Sequence, residues 1–187
     1  MRFIKYIIEL AKNVVEKDPA AKSLFLSIFF TPGVKAQAYH YLAHRLYKKG
    51  WYMLAQILAH RARRVTGIEI HPGASLGRRI LIDHGMGVVI GETAIVGDDV
   101  TLFHGVTLGG IGGKPGVKRH PTVEDGVLIG TGTAVLGDII IGANTNIGAN
   151  SVVLKDIPAN STAVGSPAEV VKRNDTKKFS EKIKKIS

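Results

Sequence analysis

Two short strings in this sequence combine histidine with charge and glycine. One is Asp83-His84-Gly85-Met86-Gly87, and the other is Lys118-Arg119-His120-Pro121, which closes a stretch rich in Gly, Lys and Arg over residues 109–122. Imidazole has a reference pKa near ~6.5, so histidine exchanges a proton at neutral pH more readily than any other side chain. Arginine presents a planar fork of donors that matches a carboxylate. Glycine lets a ligand approach the backbone closely. Both strings therefore suit proton transfer or anion binding at a ligand site. Thiol chemistry is excluded: the chain has 0 cysteines, which removes a disulfide scaffold, a Cys zinc site, a thiol nucleophile and an Fe–S cluster.

The 187 residues allow one ordinary domain with a small attachment. Apolar residues make up 45% and charged residues 21%, enough for a sizeable core. The charge of +10, from 25 Lys+Arg against 15 Asp+Glu, favours anionic partners such as nucleotides and coenzyme A, nucleic acid or anionic lipid. Aromatic residues at 6% argue against a single-strand nucleic-acid binder built on stacking. No segment approaches the ~20 apolar residues of a membrane span. Residues 1–15, broken by Lys5, Glu9 and Lys12, lack a signal-peptide core. The expectation is a soluble, cytoplasmic protein that engages neither membrane nor nucleic acid.

The elements that must position the two strings fall into two halves. Residues 1–66 carry apolar residues at helical spacing among good helix formers. Helices are expected over 1–17, 18–30, 34–49 and 51–65, the second with Asp18 as N-cap and Pro19 at the first helical position. From Ile68 the texture changes to short aliphatic steps separated by small and polar residues. Ile70, Leu76, Ile82 and Val88 stand six apart; after a slip of two, so do Ile90, Val96, Leu102 and Leu108. Past the stretch 109–122 the period resumes at Val123, Ile129, Val135, Ile141, Ile147 and Val153. A strict six-residue period predicts a parallel β-helix, three hexads to a coil and about four to five coils, with each aliphatic pointing inward. The ends of such a solenoid need covering, a task for the N-terminal helices and for the chain beyond Pro167. The His84 string fills the register slip and the His120 string ends the insertion, so both lie where the repeat breaks. The domain reading is a helical domain over 1–66, a β-helix over 67–171 and a basic tail over 172–187.

The strings Thr66-Gly67-Ile68-Glu69-Ile70-His71-Pro72-Gly73-Ala74, Ile82-Asp83-His84-Gly85, Val89-Ile90-Gly91-Glu92-Thr93, Val106-Thr107-Leu108-Gly109-Gly110 and Arg119-His120-Pro121 resemble the serine O-acetyltransferase family of hexapeptide-repeat acyltransferases. Asn150-Ser151-Val152-Val153-Leu154 and Val164-Gly165-Ser166-Pro167-Ala168 fit it as well, so the likeness runs from about Asp18 to Val171. The resemblance implies that the mainly β domain is a left-handed parallel β-helix, assembled as a trimer about a threefold axis with sites between subunits. Two trimers pair in longer members. It implies transfer of acetyl from acetyl-CoA to the hydroxyl of L-serine, a step of cysteine biosynthesis. By the same resemblance His84 is the general base and Glu69 its carboxylate partner, a Glu where many members have Asp. Asp18 and Asp83 match contacts to the substrate ammonium, Arg119 the contact to its carboxylate, and His120 a second histidine on the amino acid. Gly110, Gly130, Thr131 and Ala149 match the backbone that lines pantetheine, with Thr131 where Ala is usual. Lys155, Lys172 and Arg173 are candidates for the phosphates. Members often dock a terminal isoleucine into O-acetylserine sulfhydrylase; here Ile186 precedes a final Ser187.

Blander and rival readings stand beside these. Asp18 serves equally as a helix cap and Glu69 as a surface charge; His71, before Pro72, reads as structural. His104 reads as a packed or interface residue, and His40, His44 and His60 as helix-packing or surface groups. One rival makes His84, His104 and His120 the three histidines of a catalytic zinc site, as in the β-helical carbonic anhydrases. The surrounding strings are those of the acetyltransferase, so no metal is expected. Another keeps the fold and moves the acceptor to a sugar or polysaccharide hydroxyl. A binding scaffold without activity would lack His84 or His120, and both are present.

Overall fold

The computed structural model describes residues 3–112 and 116–173. Four helices come first: α1 (Phe3–Lys17), α2 (Leu24–Phe30), α3 (Pro32–Lys48) and α4 (Tyr52–Thr66). Helix α1 forms because Tyr6, Leu10 and Val14 recur every four residues and bury one face, where they meet Val34 and Leu81. Helix α4 ends at Gly67, whose φ of 71° supplies the left-handed cap that β-carbon-bearing residues resist. Thr31 closes α2 and opens α3, with Pro32 in the first turn where its missing N–H costs nothing.

The expected helix beginning at Asp18 is a correction. Residues 18–23 are not helical, and the N-cap of α2 is Ser23, whose hydroxyl accepts from Leu26 N at 3.2 Å. Asp18 instead folds its own carboxylate back, Oδ1 accepting from Ala20 N at 2.8 Å. An aspartate before proline can make this local turn as readily as a cap, and its N–H already bonds Val14 O at the end of α1.

The remaining chain winds through short strands. The first coil holds β1 (Glu69–Ile70), β2 (Ser75–Leu76) and β3 (Leu81–Ile82), and the second β4 (Val89–Ile90), β5 (Ile95–Val96) and β6 (Thr101–Leu102). The third holds β7 (Thr107–Gly109), β8 (Thr122–Val123) and β9 (Leu128–Ile129); the fourth holds β10 (Ala134–Leu136), β11 (Ile140–Ile141) and β12 (Asn146–Ile147). After β13 (Val152–Val153), β14 (Ser161–Gly165) pairs parallel to β12, and β15 (Ala168–Arg173) folds back antiparallel on β14. Strands one coil apart pair in parallel and make three sheets: A (β1-β4-β7-β10-β13), B (β2-β5-β8-β11) and C (β3-β6-β9-β12-β14-β15). The aliphatics of the six-residue period fill the interior. Ile70, Ile82, Val88, Ile90, Val96, Leu102, Leu108, Val123, Ile129, Val135, Ile141, Ile147 and Val153 are buried, and Leu76 packs partly against them. Each such side chain contributes roughly 1.5–3 kcal/mol of burial.

Register shows where the repeat breaks. Val89 pairs with Thr107 and Ala134 with Val152, eighteen residues on. Glu69 pairs with Val89, twenty residues on, so the turn between β3 and β4 is two residues longer than the rest. Ile95 pairs with Thr122, twenty-seven residues on, so nine extra residues leave the solenoid between β7 and β8.

The first coil would present unpaired carbonyls to water or to another edge. Side chains from the helices cover them: Asn13 Nδ2 donates to Arg79 O, Gln37 Nε2 to Ile80 O, His40 Nε2 to Ala74 O and His44 Nδ1 to Pro72 O, at 2.8–3.1 Å. Gly33 permits the approach of α3, since a β-carbon there would lie 2.4 Å from Ile82 O. At the other end β15 terminates sheet C. The tail beyond residue 173, with Ile186, lies outside the described residues. Among the described residues no helix is long and apolar enough to cross a membrane.

Candidate active site

The turns between sheets stack into three edges. The first edge, from sheet C to sheet A, carries the long turn 83–88. Its backbone is left-handed at His84 (φ 58°), Gly85 (φ 79°) and Gly87 (φ 74°). A β-carbon on Gly85 would lie 2.4 Å from Ile68 Cδ1, so glycine is required there. Held this way, the His84 side chain is 72% exposed. Its Nε2 stands 3.8 Å from Asp83 Oδ2, and its ring meets that of His104 edge-on at 5.8 Å, one coil further along. Gly130, Thr131 and Ala149 lie lower on the same edge. Gly132 N bonds His104 O and Asn150 N bonds Thr131 O. A β-carbon on Gly130 would come 2.6 Å from Ala149 N.

The second edge, from sheet A to sheet B, carries the 109–122 insertion. Arg119 is exposed and His120 is buried against Gly91, where a β-carbon would lie 2.0 Å from the imidazole Cδ2. Gly110 lies beside them, its would-be β-carbon 3.1 Å from both Arg119 O and His120 Nε2. Burial first, and then the Arg119 charge, push the His120 imidazole below its ordinary pKa; Glu92 opposes them. Lys118 Nζ anchors the strand end on Asp138 Oδ1 at 2.6 Å and also bonds His120 O. Glu92 is tied to the helical domain, its Oε1 accepting from Tyr47 hydroxyl at 2.8 Å, which pushes that phenol up to about 12.

The structure thus gathers Asp83, His84, His104, Gly130, Thr131 and Ala149 on one edge, and Gly110, Arg119 and His120 on another, across sheet A. Asp18 makes only local hydrogen bonds among the described residues, and the neighbouring Lys17 bonds Asp99 O, on the third edge. Glu69 opens sheet A next to the first edge, where its Oε2 bonds Arg63 Nη1 at 3.0 Å. Among the described residues no group of three His, Cys, Asp or Glu could hold a metal, and His120 stands apart from His84 and His104. Thr93 closes the string Val89-Ile90-Gly91-Glu92-Thr93, and nothing in its type or spacing marks it for a role. It touches the backbone and ring of His120, and only the pairing of residues twenty-seven apart brings them together.

Residues 120–155 match the family model of the bacterial transferase hexapeptide (six repeats). A serine acetyltransferase of Staphylococcus xylosus is 54% identical over 173 residues, covering 92% of this chain and 80% of the relative. The chain belongs to the serine acetyltransferase family. Solved structures of serine acetyltransferases agree with it. The soybean enzyme complexed with serine superposes with a TM-score of 0.86 at 43% identity, covering 90% of this chain and 69% of that one. The Brucella abortus serine acetyltransferase in complex with coenzyme A gives 0.88 at 40% identity, covering 92% and 69%.

Proposed function

We propose that this chain transfers the acetyl group of acetyl-CoA to the hydroxyl of L-serine, giving O-acetyl-L-serine and CoA, with His84 as the base. The observation that carries the reading is the His84 turn, which presents an exposed imidazole beside a carboxylate on the edge that also bears Gly130, Thr131 and Ala149. Membership of the family supplies the reaction class.

A serine hydroxyl is protonated at neutral pH and attacks poorly. In the proposed step His84 takes its proton as the oxygen bonds the thioester carbonyl carbon. The tetrahedral intermediate then expels the CoA thiolate, which recovers a proton from the imidazolium. Glu69 is assigned to stabilise that imidazolium. Its pairing with Arg63 is largely exposed, and such pairs contribute only ~0–1 kcal/mol, so exchanging Arg63 for His84 costs little. Asp18 and Asp83 are assigned to the substrate ammonium, and Arg119 and His120 to its carboxylate side.

One chain holds Asp83 and His84 on one side of sheet A and Arg119 and His120 on the other. A threefold trimer of left-handed β-helices, with the second edge of one copy facing the first edge of the next, would unite them. In that arrangement pantetheine runs past Gly110, Gly130, Thr131 and Ala149.

The test is thiol release from acetyl-CoA with L-serine, with a panel of sugars, and with no acceptor. The chain has 0 cysteines, so a thiol reagent reads only CoA. Serine-dependent release, lost in His84→Ala, is the expected result. Release with sugars alone would overturn the acceptor assignment and keep the fold.

A further inference from the structure

We propose that Thr93 is a positioning residue for this reaction: its hydroxyl fastens the end of the 109–122 insertion to the turn after β4 and presets the His120 imidazole as a neutral hydrogen-bond donor. The inference rests on the serine acetyltransferase reading for its kinetic consequence, but not for its chemistry. Thr93 Oγ1 accepts from Arg119 N at 3.0 Å and from His120 N at 3.2 Å, and lies 2.8 Å from His120 Nδ1. A hydroxyl oxygen accepts through two lone pairs, and both are taken by amides here. Its one proton is therefore directed at Nδ1. The backbone N–H of Thr93 donates to the same nitrogen at 3.2 Å. Two donors converge on Nδ1, which must keep its lone pair, so the ring proton sits on Nε2.

The ring has no freedom to exchange its nitrogens. Its Cδ2–Nε2 side packs against Gly91, where a β-carbon would come 2.1 Å from Nε2, and the backbone beside it is pinned through Arg119 N and His120 N. Among the described residues Nε2 has no hydrogen-bond partner. The arrangement leaves one unpaired N–H beside Gly110, next to the exposed Arg119. That pair can grip an oxygen of a carboxylate or hydroxyl and cannot remove a proton from it. Base and binder are thereby separated: His84 works as the base and His120 donates. The insertion needs such a fastening because nine residues beyond the repeat end at these two positions, and a coil edge alone does not fix where they return.

Thr93→Val removes the hydroxyl and keeps shape, β-branching and backbone N–H. Thr93→Ser restores the oxygen. The Lys118–Asp138 anchor remains in both. With one charge-neutral network lost, the KM for serine should rise about tenfold while the KM for acetyl-CoA stays within about twofold, and Thr93→Ser should recover most of the loss. An unchanged serine KM in Thr93→Val, an equal rise for acetyl-CoA, or a Thr93→Ser enzyme as impaired as Thr93→Val would overturn the proposal. The tautomer is read independently in the wild-type protein by ¹⁵N NMR of the histidine rings, with His120 assigned through His120→Asn. A lone-pair-bearing Nδ1 and a protonated Nε2 are expected. A protonated Nδ1 would overturn the proposal whatever acceptor the enzyme uses, and needs no Thr93 variant to fold. Wild-type protein that released no thiol with serine would instead refute the acceptor assignment and leave the tautomer measurement to decide this inference alone.

Discussion

The first and third edges of the solenoid solve the same turning problem and end up with different chemistry. The third edge runs from sheet B to sheet C. There Arg79, Asp99, Gly126, Asn144 and Asn160 each adopt a left-handed conformation, φ between 52° and 69°. The N–H groups of Asp99, Gly126, Asn144 and Asn160 bond a carbonyl one coil earlier. The first edge repeats the device with Gly87, Gly105, Gly132 and Asn150, bonded to Gly67, Met86, His104 and Thr131. On the third edge the polar side chains serve the turns themselves: Asp98 accepts from Arg78 N, Asp125 from Asp98 N and Glu124 from Ala143 N. On the first edge two extra residues lengthen the opening turn, and His84 becomes a further left-handed residue with its ring in solvent. A regular turn satisfies itself, whereas a lengthened one presents a side chain outward. That is why the candidate base and the insertion residues sit where the period fails.

The sharpest way to break this contrast is His84→Ala. Turnover with serine should fall by roughly 10²–10⁴, the range for a positioned base, while thermal unfolding stays near wild type. A correctly folded variant with near-normal turnover would remove His84 from the role.

His40 sharpens a second contrast, between the covered first coil and the open edges. Burial, and then the nearby His44, lower its pKa from 6.5 to about 4, because the neutral ring is needed inside the helix–coil junction. The unfolded chain therefore takes up this proton first. Stability is complete above pH 6.5 and falls as pH drops toward 4, by about 3 kcal/mol from this group. Urea unfolding of wild type and His40→Gln across that window should show the slope flattened in the variant; parallel curves would count against it.

Arg119→Ala tests the second edge. Loss of one charged hydrogen-bonding partner of the substrate should raise the serine KM about tenfold to a hundredfold. A change confined to acetyl-CoA would reassign Arg119 to the other substrate.

The smallest effect belongs to the third edge. Asn144→Ala places at φ 56° a residue that tolerates the left-handed region less well than asparagine, and should cost about 1 kcal/mol by denaturant unfolding. Turnover should be unaltered. A marked loss of activity in a stable protein would show that the third edge is not merely structural.

Much of the solenoid was legible in the chain because a period of six is a local property. Ile70, Ile82, Ile90 and their successors point inward wherever the coil closes. Asp18-Pro19 suits a helix cap and a tight turn equally, and the close of α1, where Asp18 N bonds Val14 O, decides between them. The site was legible as two strings flanking breaks in the period. Their separation was not, nor was the use of Glu69 by Arg63, since neither follows from spacing.

By itself, the sequence determined the repeat, the places where it breaks, the absence of thiol chemistry and the histidines that interrupt the period. All are set by residue type and interval. Only the tertiary structure decided which interruptions share an edge. His84 and His104 meet because Leu81 and Thr101 pair one coil apart, and Thr93 reaches His120 because Ile95 pairs with Thr122 across the insertion. The physical reason is that inward-facing aliphatics repeat every six residues, whereas turns meet only after a full coil closes. The period fixes a regular coil of three hexads, but which turns lie over one another past the two lengthened turns is set by hydrogen bonding between strands of successive coils.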